Sequence, residues 1–368
     1  MTDPGLRIAS YRPGDEEMIC ALMEVGSSTT LDQERLLRLW RWRFVDAPVD
    51  EIFIDLAWDG DRLVGQYAVQ PIRMQIHGVP RLWVISLDTV THPDDRRRGI
   101  FGVLTDHLYA RIRDKAQVVF GFPGERASYF GMYRKLGWIP VEPHPKLARI
   151  GVVPRRLTVG QPALRAAAAL VDRLVAPAQD LLVGLLDQGL RAGRFDAVVT
   201  DRVPEDVDGL WARLSGGEGI RVTTDQTYLR WRYDSHPFCA YEYVALRGPD
   251  GLVGLAVIRP PQKGEHSRFG HIMDVLVEPG RGSTTAAALI GAALRALQAR
   301  GGRTVWVFAP VGGRLRRILT GFGFLPMRGR GGEWPWTLGA RVLGDGIRPE
   351  EVLDAPAWHI GCGVMDML

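Results

Sequence analysis

The sequence predicts a mixed α/β fold built as two like domains in tandem. Apolar, β-branched runs such as 52–58, 63–74 and the run ending at His92-Pro93 alternate with stretches of helical periodicity. The chain also repeats itself. Trp40-Arg41-Trp42-Arg43-Phe44 followed by Pro48 recurs as Leu229-Arg230-Trp231-Arg232-Tyr233 followed by Pro237, at an offset of 189 that also aligns Asp61, Leu63, Val64 and Gly65 with Asp250, Leu252, Val253 and Gly254. After a short contraction, an offset of 186 aligns Asp88 and Pro93 with Asp274 and Pro279, and Gly137 and Pro140 with Gly323 and Pro326. Two offsets held over several anchors mark a duplication. With 368 residues the chain is long enough for two cores. The expected organisation is a first domain over 1–148, a connector over 149–194 and a second domain over 195–368.

Taken in order, 6–11 reads as a strand, and Pro13-Gly14-Asp15 as a turn whose Asp15 caps a helix carrying Ile19, Leu22 and Met23. A second helix spans 32–44. Strands 52–58 and 63–74 are joined by the hairpin turn Asp59-Gly60-Asp61. A strand from about Leu82 leads into a turn packed with Arg96, Arg97 and Arg98, which breaks at Gly99 into a helix reaching Arg113. Strand 118–122 ends at Pro123-Gly124, and a helix over 126–136 closes at Gly137, suited to a left-handed cap. The connector, punctuated by Pro154, Pro162 and Pro177, reads as amphipathic helices broken near Pro177. In both copies of the Trp-Arg-aromatic segment, Trp42 and Trp231 are expected to anchor a helix end on a sheet, with Arg43 and Arg232 in buried hydrogen bonds; alternatively Trp40, which is Leu229 in the second copy, lines an acceptor site. The tail 358–366 reads as a last strand, in which Gly361 and Gly363 suggest close approach to another backbone.

Composition narrows the function classes. A formal charge of +4 with basic and acidic residues interspersed leaves no clustered footprint for nucleic acid. The cysteines Cys20, Cys239 and Cys362 are scattered and odd in number, which argues against a disulfide framework or a metal site and for buried thiols in a reducing compartment. No signal segment opens the chain and no apolar run reaches the ~20 residues of a membrane span, so a cytoplasmic protein is expected.

The stretch from Asp88 to Gly102 carries the chemistry. It runs from strand through basic turn into helix. The first amides of a helix lack partners within it and sit at the positive end of its dipole, so a pyrophosphate is a natural occupant there. Gly99 lets the backbone approach such a ligand. A solvated cap would have the same local sequence.

Thr91-His92-Pro93-Asp94-Asp95-Arg96-Arg97-Arg98-Gly99-Ile100, with the later Tyr133-Arg134-Lys135-Leu136-Gly137-Trp138, resembles the signature pair of the GCN5-related N-acetyltransferase (GNAT) family, over about residues 1–145 and more faintly in the second half. In that family Arg/Gln-x-x-Gly-x-Gly/Ala cradles the coenzyme A pyrophosphate. Here the sixth position is Phe101, with Gly102 following. The resemblance implies a mixed, mostly antiparallel central sheet flanked by helices in each domain and acetyl-CoA, or another acyl-CoA, as co-substrate without a metal. It places coenzyme contacts at Val90, Thr91, Arg96, Arg97, Arg98, Gly99, Ile100, Phe101 and Gly102. Backbone N–H groups near Val90 and Thr91 would polarise the thioester carbonyl, and Tyr133 takes the general-acid position, since a phenol can donate to a thiolate without being charged. An amphipathic core residue would look the same at Tyr133. For the general base, Asp88, Glu125 and His92 all fall near the site. Asp88 has a counterpart in Asp274 that a shared structural job also explains, His92 reads as a turn residue, and Glu125 can serve a helix dipole.

The second copy is an internal control. Its turn, Glu278-Pro279-Gly280-Arg281-Gly282-Ser283, has one arginine instead of three, and Leu319 stands at the Tyr133 position. One active site is therefore expected, in the first domain, with the second domain a degenerate scaffold. The implied reaction is transfer of an acyl group from coenzyme A to a primary amine of a small molecule (an amino sugar, an amino acid or a peptide-like compound) by direct attack in a ternary complex. A catalytically silent acyl-CoA-sensing or interaction module is the alternative. Oligomeric state is not legible.

Overall fold

In a computed structural model, the residues described are 5–27, 29–123, 131–141, 146–149, 195–262, 269–309, 313–326 and 337–364, with single positions between 177 and 184. The chain forms two compact units, Met1–Pro143 with Trp336–Ala355, and His144–Pro335 with Pro356–Leu368. The expected boundary at 148 falls inside a strand, Lys146–Arg149, and most of the connector lies outside the described residues.

The first unit opens with β1 (Leu6–Ser10), α1 (Glu16–Gly26) and α2 (Gln33–Phe44). Asp32 caps α2 by accepting from the Arg35 amide at 2.9 Å. Asp15 precedes α1 without capping it; its carboxylate instead accepts from the Arg12 amide, closing the turn before the helix. β2 (Phe53–Asp59) and β3 (Arg62–Ile76) form the expected hairpin, with Gly60 at φ +61°. β4 (Val79–Thr91), α3 (Ile100–Ile112), β5 (Val118–Gly121) and β6 (Ile139–Pro140) follow. The strand order is β1-β2-β3-β4-β5, then Gly339–Val342, then β6. Pairing is antiparallel except between β4 and β5. The period of two along each strand divides the apolar residues between two layers: Tyr67, Val69 and Val84 pack under Ile100, Leu104 and Leu108 of α3, whereas Ile54, Leu56 and Ala68 pack under Ile19 and Leu22 of α1 and Trp40 and Phe44 of α2.

The second unit repeats the plan. Its elements are β7 (Lys146–Arg149), β8 (Asp196–Thr200), α4 (Val207–Ser215), β9 (Ile220–Val222), α5 (Gln226–Leu229) with a π-turn over Arg230–Asp234, β10 (Glu242–Gly248), β11 (Gly251–Arg259), β12 (Phe269–Val277), α6 (Gly282–Ala299), β13 (Thr304–Phe308), α7 (Arg314–Gly321) and β14 (Leu325–Pro326); all its strands but β9 form a seven-stranded sheet in the order β14-β7-β13-β12-β11-β10-β8. Only β12 and β13 are parallel in it. β15, the strand Gly339–Val342, lies between β5 and β6 of the first unit, as β7 lies between β13 and β14 of the second. Each sheet thus borrows one strand from the other half of the sequence, which ties the duplicated halves together topologically. β16 (Trp358–His359) pairs in parallel with β9, so the tail is a strand only over two residues and then turns over Cys362–Val364.

Candidate active site

The site starts where a parallel pair comes apart. β4 and β5 are paired at Val84↔Val119 and Ile85↔Phe120, and beyond Ile85 the two strands have no further ladder pairs. On its other edge β4 stays on β3, but with a bulge: the register passes from Ala68↔Leu87 to Gln66↔Val90, so Asp88 and Thr89 face Tyr67 alone. Asp88 has φ +46°, a left-handed conformation that costs a non-glycine residue of order 1–3 kcal/mol and is kept only where its surroundings impose it. Two contacts do so. Gln66 donates its side-chain amide to the Asp88 carbonyl at 2.7 Å, and Arg43, at the end of α2, forms an ion pair with the Asp88 carboxylate. The Arg43 side chain is only 4% exposed, and its own carbonyl accepts from Gln70 at 2.8 Å. Asp88 therefore sits at the splay as the structural reading anticipates, with its carboxylate committed to a guanidinium.

Past the bulge, the His92 amide donates to the Val64 carbonyl at 2.9 Å. Alternation along the strand then turns the Val90 amide toward β3 and the Thr91 amide toward the open edge. Of the two backbone groups anticipated as carbonyl polarisers, Thr91 is the one whose amide faces the open edge. The Val90 side chain is buried against the end of α1, where a Cβ on Gly26 would collide with it.

The turn that follows is a short 3-10 turn, Pro93–Asp95, capped by His92, whose Nδ1 accepts from the Asp94 amide. Arg97 has φ +70° and Gly99 φ +79°, with Gly99 the residue that starts α3. Alternating left-handed residues before a helix turn successive N–H groups to one side and make an anion-binding concavity. The Gly102 and Val103 amides return to the Gly99 carbonyl, which leaves the Ile100 and Phe101 amides without a partner inside the helix.

The three arginines of this turn are not equivalent. Arg98 is braced between Asp59, at 2.8 Å, and Asp95. Burial by itself raises the Asp95 pKa, but Arg98 and Arg62 outweigh it and hold the carboxyl below its ordinary value. Arg96 reaches the Gly26 carbonyl at 3.2 Å, and Arg97 is exposed. Ile100 is buried against Gly65 of β3. Phe101, the departure from the family pattern, stacks edge-on against Tyr67 with ring centres 5.8 Å apart and lies close beneath Gly131. It is a packing residue linking the cradle helix to the turn that bears Tyr133. Gly102 has nothing within 4 Å of where a Cβ would stand, so the backbone there is open to a ligand.

Tyr133 lies on a π-turn, Gly131–Lys135, which Gly137 closes at φ +63°. Its hydroxyl donates to the Thr337 carbonyl at 3.4 Å, and a Cβ on Gly339 would collide with the phenol. Gly339 pairs with Gly121, the last residue of β5, and a Cβ on Gly121 would stand 3.3 Å from the Ser86 carbonyl of β4. The phenol is thereby placed at the end of β5, beside the point where β4 departs. Thr337 and Gly339 had no signal near Tyr133 in sequence, being supplied by the borrowed strand. Glu125 lies outside the described residues. Trp40 is 1% exposed and packs between Tyr11 and Phe44, so it belongs to the core and does not line a cleft.

The second unit keeps the backbone of this arrangement and changes its side chains. Its turn carries Gly280 at φ +82° and Gly282 at φ +82°, spaced as Arg97 and Gly99 are, and Arg281 between them is braced by Asp250 and Glu278 as Arg98 is by Asp59 and Asp95. The arginine retained in both turns is the structural one. β12 separates from β13 after Ile272↔Val307, with a register shift between Val257 and Ile258 opposite it. Asp274, the counterpart of Asp88, is buried there and accepts from the Tyr233 hydroxyl, while Arg232 donates to the Gly363 carbonyl. Gly361 and Gly363 approach Met273 and Asp274 so closely that neither could carry a Cβ, as the tail glycines suggested. Leu319, in place of Tyr133, is fully buried in α7. Among the described residues no cluster of potential metal ligands occurs, and no helix is long and apolar enough to cross a membrane.

Residues 10–141 match the family model of the acetyltransferase (GNAT) domain. No curated protein matches the chain. Among solved structures, the fold is similar to a GCN5-related N-acetyltransferase from Anabaena variabilis (10% identity, 92% of this chain and 73% of that one, TM-score 0.60). It is also similar to one from Kribbella flavida (15% identity, 96% and 72%, TM-score 0.58). A tandem GNAT protein from the clavulanic acid biosynthesis pathway matches over 93% of this chain and all of its own length, at 13% identity and a TM-score of 0.55.

Proposed function

We propose, from the premise that residues 10–141 form a GNAT-family acetyltransferase domain and that the protein is an acyltransferase, that it transfers an acyl group from coenzyme A to the primary amine of a small molecule at a single site in the first unit. The observation that carries this reading is the splay of β4 from β5, bulged at Asp88, with the Tyr133 phenol at its mouth. The amides of Ile100 and Phe101, in the turn made by Arg96, Arg97, Arg98 and Gly99 and beside the open backbone at Gly102, would hold the coenzyme pyrophosphate. The Thr91 amide and its neighbours on the open edge would donate hydrogen bonds to the thioester carbonyl oxygen, the atom where negative charge develops.

In the reaction the amine nitrogen attacks the carbonyl carbon, a C–N bond forms and the C–S bond breaks. Tyr133 gives its proton to the departing thiolate, and the proton lost by the amine passes to solvent. Asp88 is held by Arg43 and serves to shape the bulge rather than to take that proton. Catalysis is placed in the first unit because the second has hydrocarbon, Leu319, where the phenol stands. The test is free-thiol release from acetyl-CoA by the purified protein on a panel of amino sugars, amino acids and peptides. Release with at least one amine is expected. Coenzyme binding with no release on any amine would replace this reading by that of an acyl-CoA sensor.

A further inference from the structure

The second unit encloses a cavity of about 510 Å³, within the range of small-molecule sites. It opens along β12 where that strand leaves β13, and its walls include Met273, Phe308, Trp211, Leu214 and Ile318. A surface this apolar would suit many ligands, but one group on it narrows the choice. Arg221, on β9, also lines the cavity. Its Nη2 donates to the Glu218 carbonyl at 2.7 Å, while its Nε is buried with no hydrogen-bond partner. Three other arginines of the unit are matched by carboxylates: Arg213 by Glu278, Arg247 by Asp206, and Arg281 by Glu278 and Asp250. No carboxylate among the described residues is paired with Arg221. Burial lowers its pKa, and no neighbouring carboxylate counters that shift.

Taking a guanidinium out of water without a counter-ion is costly, and its planar donor edge is matched best by a carboxylate. Thr224, His359, the exposed Arg314 and the acids Asp274 and Glu278 are also on the lining, and a second anionic group would be repelled beside the two acids.

We propose that the second unit is a binding site for an apolar monocarboxylate, its carboxylate on Arg221 and its hydrocarbon chain along Met273, Phe308 and Ile318. This goes beyond the acyl-transfer reading and does not rest on it, because every group involved lies in the second unit. The degenerate copy then has a ligand of its own.

The probe is octanoate, with octanamide as its neutral counterpart, titrated calorimetrically into the full chain. Saturable binding of octanoate is expected, with octanamide weaker by about 10-fold or more, the worth of a hydrogen-bonded charge pair. In Arg221→Gln the two should bind alike, octanoate having lost the difference. Leu315→Trp, which fills the cavity from α7, should abolish binding of both, and it keeps the proposal testable should Arg221→Gln fold poorly. Equal affinity for acid and amide in the natural protein, unchanged octanoate binding in either variant, or no saturable binding in the millimolar range would overturn the proposal.

Discussion

The guanidinium of Arg43 and the carboxylate of Asp88 form a buried ion pair that holds a left-handed residue in the middle of a strand, with side chains 4% and 14% exposed. The pair joins the end of α2 to the one position at which β4 changes register. Removing one partner leaves an uncompensated charge, which costs far more than the pair itself contributes. Arg43→Met is therefore expected to destabilise the first unit by about 3–5 kcal/mol, read as a lowered urea midpoint. Asp88→Asn keeps a residue tolerant of left-handed φ but takes the counter-ion from the buried Arg43 guanidinium, so a loss of similar size is expected. Urea midpoints unchanged in both variants would mean that charge burial is not what the pair controls.

Tyr133 offers a cleaner test of chemistry, because its ring packs on Gly339 while its hydroxyl donates a long hydrogen bond to the Thr337 carbonyl at 3.4 Å. Tyr133→Phe keeps the packing and removes the proton. Turnover should fall by ~100-fold or more, the usual range for a positioned acid, with coenzyme affinity nearly unchanged. A loss of affinity with turnover intact would assign the hydroxyl to binding.

The two turns allow a paired experiment. Gly99 and Gly282 both have left-handed φ, and a Cβ at either meets nothing within 4 Å. Alanine at each position is thus penalised by conformation alone, at ~1 kcal/mol. The expected stabilities of Gly99→Ala and Gly282→Ala are similar. Their effects on acetyl-CoA binding should differ: the first weakens it, since the Ile100 and Phe101 amides depend on that turn, and the second leaves it unchanged. Equal weakening in both would mean that both turns hold coenzyme, against a single site.

The contrast between the turns also shows what the chain discloses before it is folded. The duplication was legible because its anchors are large or conformationally special residues, Trp42 and Trp231, Gly137 and Gly323, whose jobs tolerate few substitutes. Gly361 and Gly363 were legible for the same reason: a glycine stands where a backbone or carboxylate leaves no room. The arginine run was misleading in one respect. Arg96, Arg97 and Arg98 look alike in sequence, but the left-handed φ of Arg97 turns successive side chains in different directions, and Arg98 is spent on Asp59 and Asp95. The borrowed strand Gly339–Val342 had no local signature, because its partners Val118–Gly121 lie over 200 residues away and any apolar strand could fill the gap. The second unit's cavity was hidden likewise, as it depends on which way the side chains of a splayed strand point.

Asp274 ties the second unit's stability to pH. Burial pushes its carboxyl up to about 6 from an ordinary 3.8, against the opposing pull of the Tyr233 hydrogen bond and the Arg232 charge. Because the folded-state value is the higher, the folded chain keeps a proton that the unfolded chain gives up at lower pH. The stabilisation from that proton is complete below about pH 4 and is lost as the pH rises through about 6. A displacement of this size is worth ~3 kcal/mol. Burial lowers His271 from 6.5 to about 3, so it is linked to folding across the same window with the opposite slope, but it is common to both proteins and cancels in their difference; Lys146, lowered to about 8, titrates above the window. Asp274→Asn can still pair with the Tyr233 hydroxyl but has nothing to titrate. Urea unfolding of the natural protein and of Asp274→Asn between pH 4 and 7 should therefore give curves that diverge, the natural protein losing stability relative to the variant as the pH rises. Parallel curves would mean that Asp274 has the same proton affinity folded and unfolded, and that its burial is relieved by neighbours more fully than Tyr233 and Arg232 account for.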